Sequence, residues 1–188
     1  VNLFQEIGFD PVNYLWEKME FEAELKNLPA SALGTVSASM MELARAYSSF
    51  ANGGLLIKPH AILSISAPDG STIYTHDSPK GTPILEERSV QLMQAMLQYA
   101  VDSGTGRALE SRFQQEGWAG KTGTSQNYAD AWFIGFKPQL VLVSRVGASK
   151  PSIHFNAGAY GSGSALALPL VGDTLYRLQQ KGGKQSYQ

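Results

Sequence analysis

Apolar residues recur every three or four positions over long stretches of the N-terminal part of the chain, which is the period of an amphipathic helix. Residues 1–28 show this pattern, with breaks near Gly8 and Pro11, and residues 86–106 show it again before a glycine-rich end. Residues 29–38 lack the pattern and contain proline and glycine, so we expect a loop there. This part of the chain is therefore predicted to be mainly helical.

The clearest single helix is predicted at residues 39–54. Ser39 and Glu42 have the S-x-x-E spacing of a capping box, in which each side chain binds a free backbone amide at the helix start. The helix should stop at 52-NGG-54, because glycine readily adopts the left-handed conformation that closes a helix. Both ends of this helix are thus predicted from local signals.

Shorter apolar runs later in the chain have the character of β-strands. Residues 61–66 and 71–76 flank the turn sequence 68-PDG-70, which predicts a hairpin. Further strands are predicted at 116–125, 130–136 and 140–147, and an apolar helix at about 164–180 follows a Gly/Ser loop at 157–164. Helices come first and a strand meander later, without regular alternation. We therefore predict an α+β fold in which helices cover an antiparallel sheet.

Composition excludes several classes of function. The 188 residues include 15 Lys and Arg against 16 Asp and Glu, and the net charge of −1 gives no field that would hold nucleic acid or an anionic membrane. The chain has no cysteine, so disulfides, thiolate catalysis and thiolate metal sites are excluded. No apolar run approaches the roughly 20 residues of a membrane span. We expect no nucleic-acid partner.

The histidines, His60, His76 and His154, are widely separated in sequence and lack the spacing of metal ligands. We interpret them as solvated or core residues. The stretch 103-SGTG-106 lacks the G-K-[ST] continuation of a phosphate loop, so we interpret it as a helix stop and turn. Neither a metal nor an organic cofactor is predicted.

The two ends of the sequence lead to separate expectations. The chain begins at Val1 in what has the pattern of the middle of a helix, without Met or a signal peptide. We therefore expect a piece of a longer protein. Residues 1–180 should form part of one domain, and the polar residues 181–188 a disordered tail.

The stretch 119-AGKTGTSQNYADAWFIGF-136 places a cation, hydroxyls and glycines directly before an apolar strand. Side chains alternate on a strand, so Lys121 and Gly123 would share one face. Thr122 and Thr124 would share the other. On an edge strand, a lysine and paired hydroxyls can bind a carboxylate while free amides pair with an extended peptide. A solvent-facing edge strand with ordinary threonines and a gatekeeping lysine is the alternative from these residues alone.

Several motifs, in a fixed order, resemble the transpeptidase domain of class A (bifunctional) penicillin-binding proteins over roughly residues 1–178. The motifs are 33-LGTVSASMMELARAYSSFANGG-54, 103-SGTGRAL-109, 120-GKTGTSQNYADAWFIGF-136 and 161-GSGSALALPL-170. The resemblance implies part of a transpeptidase fold of the penicillin-binding-protein and serine β-lactamase type. It also implies a parent enzyme that cross-links peptidoglycan as an acyl-serine D,D-transpeptidase and is acylated by β-lactams.

By this resemblance, K-T-G-T belongs to the substrate strand. Lys121 would supply positive potential and support proton movement, and Thr122 and Thr124 would bind the terminal carboxylate of the peptide or β-lactam. The backbone N–H of Thr124 would form half of the oxyanion hole. Gly123 would leave room for the ligand. The candidate catalytic residues are thus Lys121 and Thr124, and the candidate substrate-binding residues are Thr122, Gly123, Thr124 and Ser125.

Two motifs of that family are missing. No serine lies three positions before a lysine, so the chain contains neither S-x-x-K nor its nucleophile. The S-x-N string at 125-SQN-127 directly follows K-T-G-T, whereas the family's motif lies upstream, so we interpret this string as a strand-end turn. Residues 1–10 resemble the helix that follows the family's S-x-N. We expect the chain to begin downstream of that motif and to be inactive alone.

The resemblance implies peptidoglycan stem peptides as substrates, β-lactams as inhibitors and the N-terminal part of the same protein as a partner. It implies an extracytoplasmic location, periplasmic or at the outer face of the bacterial inner membrane, with an anchor outside this chain. Without its covering helices the sheet would expose apolar surface, so self-association is also expected. Two alternatives stay open: a serine β-lactamase or D,D-carboxypeptidase relative, and a non-catalytic module that binds or scaffolds peptides.

Overall fold

A computed structural model describes residues 1–77, 80–150 and 152–181 of the chain. The helices and strands, in chain order, are α1 Asn2–Ile7, α2 Phe9–Lys18, α3 Met40–Ala51, β1 Leu55–Leu56, β2 Ser64–Ser66, β3 Thr72–Thr75, β4 Thr82–Pro83, α4 Glu87–Asp102, α5 Ala108–Ser111, β5 Ala119–Thr124, β6 Asp130–Lys137, β7 Leu140–Gly147, α6 Gly158–Gly161 and α7 Ala167–Lys181. Short 3-10 helices lie at Pro29–Leu33 and Gln126–Tyr128. None of the helices among the described residues combines the length and apolarity that a membrane crossing requires.

The three-stranded antiparallel sheet β5–β6–β7 is the centre of the fold. The central strand β6 pairs with β5 from Phe136 opposite Ala119 to Ala131 opposite Thr124, and pairs along its whole length with β7. β5 therefore lies at one edge of this sheet. The strands were predicted within a few residues of these bounds, because each is an apolar run closed by turn residues.

Helices cover both faces of the sheet. On one face, Phe133 of β6 packs in a buried cluster with Leu109 of α5 and Leu168 of α7. On the other face, Phe136 and Ala119 pack against Leu97 of α4. Each helix buries one apolar stripe against the sheet, and burial of this kind is the main favourable term in folding. The predicted α+β fold, an antiparallel sheet covered by helices, is confirmed.

Helix α3 begins and ends where the sequence predicts. The Ser39 hydroxyl accepts a hydrogen bond from the Glu42 amide at 3.2 Å, and the Glu42 carboxylate accepts one from the Ser39 amide at 2.7 Å. Gly53 and Gly54 follow the helix with φ of +83° and +99°, values that glycine adopts without strain. The hairpin β2–β3 also forms around Gly70, although its strands are shorter than predicted.

Three local predictions differ from the structure. Pro11 does not break α2 but lies in its first turn, where a missing N–H costs nothing because the first amides of a helix have no intrahelical partner. The predicted loop 29–38 starts with the 3-10 helix Pro29–Leu33, and the Gly/Ser loop 157–164 contains the short helix α6.

The structure also differs from the sequence prediction in one strand pairing and at the C-terminal helix. The two-residue ladder of β1 with β4 was not predicted, since each strand is too short to show a period. Helix α7 extends to Lys181, one residue beyond its predicted end. The predicted disordered tail lies, apart from Lys181, outside the described residues.

Candidate functional site

The K-T-G-T sequence occupies the last four residues of β5, at the edge of the central sheet. The outer side of this strand has no partner strand in the parts of the chain that the structure describes. Lys121 is exposed, and its ammonium donates a hydrogen bond to the Thr122 carbonyl at 2.7 Å. The lysine is thus held along the strand, with its charge still accessible to a ligand.

The predicted alternation of faces is present. Thr122 lies opposite Phe133, which packs with α5 and α7, whereas Ala119 lies opposite Phe136, which packs with α3 and α4. By alternation, Thr124 shares the face of Thr122. Both hydroxyls therefore lie on one side of the strand, as a shared carboxylate ligand would require.

The Thr122 hydroxyl is not free toward solvent. This residue is only 8% exposed, and its Oγ1 lies 2.5 Å from Oγ1 of Thr105. Thr105 belongs to the turn that follows α4, in the stretch that the sequence indicates is a helix stop. That turn is closed by a hydrogen bond from the Gly106 amide to the Ala100 carbonyl at 2.9 Å. The turn after α4 thus brings a third hydroxyl to the K-T-G-T strand.

The Thr124 hydroxyl is hydrogen-bonded to a residue of the segment before α7. It accepts a hydrogen bond from the Gly163 amide at 3.1 Å. Gly163 sits so close to the Gly123 backbone and the Trp132 carbonyl that a Cβ atom at this position would overlap both. The absence of a side chain therefore lets the segment before α7 lie directly on the K-T-G-T strand.

Ser125 closes the turn between β5 and β6. Its hydroxyl accepts a hydrogen bond from the Asp130 amide at 2.7 Å, and its own amide donates to the Asp130 carbonyl at 2.9 Å. Asn127, the third residue of the S-x-N string, has a φ of +59° in the 3-10 helix that follows. This geometry agrees with the interpretation of 125-SQN-127 as a strand-end turn.

An ion pair between β6 and β7 lies next to this turn. A guanidinium nitrogen of Arg145 on β7 contacts the Asp130 carboxylate at the start of β6, and both side chains are about one-third exposed. The Arg145 guanidinium also lies over the Trp132 ring, 5.7 Å from its centroid. These contacts fix the beginning of β6 and, through Ser125, the end of the K-T-G-T strand.

Within the described residues, the structure brings together one ammonium, several hydroxyls and the unpaired edge of β5, a set that includes no complete catalytic group. An ammonium and a set of hydroxyls can bind a carboxylate, and outward-facing amides of an edge strand can bind an extended peptide. Lys121, Thr122 and Thr124 are candidate site residues from the sequence, whereas the contacts of Thr105 and Gly163 with this strand were not predicted. Thr105 and Gly163 lie in 103-SGTGRAL-109 and 161-GSGSALALPL-170, two of the motifs that resemble the family. Membership in these motifs was the signal that could have pointed to them.

Two of the three histidines are adjacent in the structure, although they are distant in sequence. The rings of His60 and His76 stack with their centroids 3.8 Å apart. His60 precedes β2 and His76 follows β3, and the antiparallel pairing of these strands brings the two residues together. His76 also contacts the Tyr74 hydroxyl through Nδ1 at 3.2 Å. The described residues contain no group of three His, Cys, Asp or Glu side chains placed to hold a metal ion.

Comparison with known proteins places this geometry in a family. A model of the penicillin-binding protein transpeptidase domain matches residues 16–165. Penicillin-binding protein 1A of Neisseria cinerea is 32% identical over 195 residues, which covers 98% of this chain and 23% of the relative. The corresponding protein of Aquifex aeolicus is 34% identical over 170 residues, which covers 90% of this chain and 22% of the relative. The chain thus spans less than a quarter of the length of these relatives.

Solved structures show the same fold. Penicillin-binding protein 1A from Haemophilus influenzae matches 98% of this chain with a TM-score of 0.85 at 21% identity, over 33% of its own chain. Penicillin-binding protein A from Mycobacterium tuberculosis, an imipenem acyl-enzyme complex, matches 95% with a TM-score of 0.71 at 19% identity, over 44% of its own chain. Since the family model matches most of the chain, the chain belongs to the family of penicillin-binding protein transpeptidase domains.

Proposed function

We propose that this chain provides the substrate strand of a peptidoglycan D,D-transpeptidase that acts through an acyl-serine intermediate. The observation that carries the proposal is the placement of the exposed Lys121 and Thr124, with the buried Thr122 between them, on the edge strand β5. An extended stem peptide would pair with this edge, and its terminal carboxylate would bind the Thr124 hydroxyl and the hydroxyl pair of Thr122 and Thr105. The membership of the chain in the transpeptidase family supports this assignment.

Each proposed role follows from the chemistry of the group. Lys121 raises the local positive potential and assists proton transfer, as a positioned acid or base does. The Thr124 amide donates to the oxyanion that develops during acyl transfer. Gly123 leaves space beside the strand for the ligand. The nucleophilic serine is supplied from outside these residues, because the chain contains no S-x-x-K sequence.

The same proposal covers inhibitors, partners and location. A β-lactam carries a carboxylate next to a reactive amide, so it would bind as the D-Ala-D-Ala end of a stem peptide does. The solved acyl-enzyme of Mycobacterium tuberculosis penicillin-binding protein A with imipenem is consistent with β-lactam binding in this fold. Peptidoglycan substrates lie outside the cytoplasm, so we propose an extracytoplasmic location and cooperation with the catalytic residues of the same protein.

Labelling with a fluorescent penicillin tests the proposal. The complete gene product should be labelled, and the 188-residue chain alone should not. Lys121→Ala should slow acylation of the complete product by about a hundredfold or more, the range for loss of acid–base assistance. Its free energy of unfolding should change by less than about 0.5 kcal/mol, because the side chain is exposed. Lys26→Ala, which removes another exposed lysine, serves as the control.

The outcomes separate the alternatives. Stoichiometric labelling of the isolated chain would contradict the external nucleophile. A complete product that resists labelling but binds stem peptides would favour a non-catalytic scaffold. Rapid hydrolysis of the acyl-enzyme by water would favour a β-lactamase or carboxypeptidase. A Lys121→Ala variant that loses only stability would favour an ordinary edge strand.

A further inference from the structure

We propose that Thr105, which lies outside K-T-G-T, is a specificity-determining residue that presents its hydroxyl to the substrate carboxylate together with Thr124. In this arrangement Thr122 acts through Thr105 and not by direct contact. The inference rests on the proposed function, since it concerns the carboxylate that the substrate strand would bind.

Thr105 and Thr122 differ in their exposure to solvent. Thr122 and Thr124 lie on the same side of β5, where Thr122 is only 8% exposed and Thr124 is exposed. Thr105, in the turn after α4, is also exposed. Thr105 Oγ1 lies 2.5 Å from Thr122 Oγ1, so a ligand that approaches this face meets Thr105 first. The buried Thr122 hydroxyl therefore does not contact the ligand itself but positions the Thr105 hydroxyl to which it is hydrogen-bonded.

The hydroxyls of Thr105 and Thr124 each have a proton that a ligand can use. A hydroxyl has one proton to donate and two lone pairs that accept. Either hydroxyl can donate in the Thr105–Thr122 contact, and with the buried Thr122 as the donor the proton of the exposed Thr105 is available to a ligand. Thr124 accepts the Gly163 amide, so its own proton is also available. Two free protons match the two oxygens of one carboxylate, and hydrogen bonds to an ionised group are the strong ones.

Separate elements of the fold hold these two hydroxyls in place. Thr105 is held by the turn after α4, where a Cβ atom added at Gly104 would collide with the Ala100 backbone. Thr124 is held by Gly163 from the segment before α7. Because the two donors are fixed by packing, the site is organised before a ligand arrives, which favours binding.

The test compares acylation of the complete gene product by benzylpenicillin and by its methyl ester, which lacks the charged carboxylate. The unmodified protein should prefer the free acid. Thr105→Ala should lower the acylation rate with the free acid by about 10-fold to 100-fold, the effect of a lost hydrogen bond to a charged group. The rate with the ester should stay nearly constant. Thr105→Ser should restore the preference, and Ser103→Ala, in the same turn, should leave it unchanged.

Each other outcome overturns the inference in a recognisable way. If Thr124→Ala abolishes the acid preference but Thr105→Ala does not, Thr105 has no such role while the proposed function stands. If Thr105→Ala lowers both rates equally, and Thr105→Ser does so as well, the residue supports the fold only. If the unmodified protein is not acylated at all, the proposed function fails, and this inference fails with it.

Discussion

The Gly163 amide donates a hydrogen bond to the Thr124 hydroxyl at 3.1 Å, and this contact joins residues 39 positions apart. Gly163 lies against the backbone of the neighbouring Gly123 and against the Trp132 carbonyl. The segment before α7 therefore packs directly on the proposed substrate strand and is not only a connection to the last helix. Because the contact involves a backbone amide, its strength depends on how closely the two segments approach.

We expect Gly163→Ala to lower the free energy of unfolding by about 1–3 kcal/mol, the cost of overpacking a closed site. The new methyl group would push the segment away from β5, so Thr124 would lose its amide partner and acylation of the complete gene product would slow. Chemical denaturation and acylation kinetics measure the two effects. Ser162→Ala, which removes only a hydroxyl 3.0 Å from that of Ser164, is the control. A Gly163→Ala variant as stable as the unmodified chain would show that the segments are not in close contact.

The Ser125 hydroxyl has a structural partner, and this leads to a second prediction. Ser125→Ala should remove the acceptor of the Asp130 amide and lower the free energy of unfolding by about 0.5–1.5 kcal/mol. The ratio of acylation rates with free acid and methyl ester should not change. Ser125→Thr, which keeps the hydroxyl, should retain stability. A loss of the acid preference at unchanged stability would instead assign Ser125 to substrate binding, as the sequence predicts.

Features that depend on neighbouring residues could be predicted from the sequence. Ser39 and Glu42 of the capping box are three positions apart, and the turn at Gly70 is closed by a hydrogen bond from its amide to the Ala67 carbonyl, so the interacting residues are close neighbours in sequence. The strands of the central sheet are similar, because each is a continuous apolar run between turns. The antiparallel, helix-covered fold followed from the order of these elements.

Contacts between distant segments could not be predicted in the same way. Thr105 and Thr122 are 17 positions apart, and their hydroxyls meet only because α4 packs along β5. The stacking of His60 on His76 likewise depends on how the hairpin returns. The number of residues between two segments does not give their distance in the folded chain. The K-T-G-T motif was therefore found in the sequence, whereas the residues that contact it were not.

The Glu42 carboxylate gives a prediction about pH. Hydrogen bonds from the Glu22 and Ser39 amides hold the pKa of Glu42 below its ordinary value. A group with a lowered pKa in the folded state stabilises the fold above its unfolded pKa, and this contribution is lost as pH falls through the folded value. The free energy of unfolding should therefore decrease on acidification below about pH 4.5, where an ordinary glutamate becomes protonated.

Glu42→Gln isolates this contribution. The variant should be less stable than the unmodified chain at neutral pH, and its stability should fall less steeply on acidification. Urea denaturation at a series of pH values measures both quantities. Glu6→Gln, which changes an exposed glutamate of α1, should leave the pH dependence as it is. Parallel pH curves for the unmodified chain and Glu42→Gln would contradict the linkage.

The exposed face of α4 predicts self-association of the isolated chain. Leu92, Met96 and Tyr99 follow one another at helical spacing and are 58%, 58% and 70% exposed, and a continuous apolar stripe of this kind drives association. Sedimentation velocity at increasing concentration should show oligomers of the 188-residue chain. Leu92→Lys with Met96→Lys should shift the population toward monomer, because two charges would have to be buried in the contact. Gln91→Lys adds charge beside the stripe and should have little effect; equal sedimentation of all variants would exclude this face.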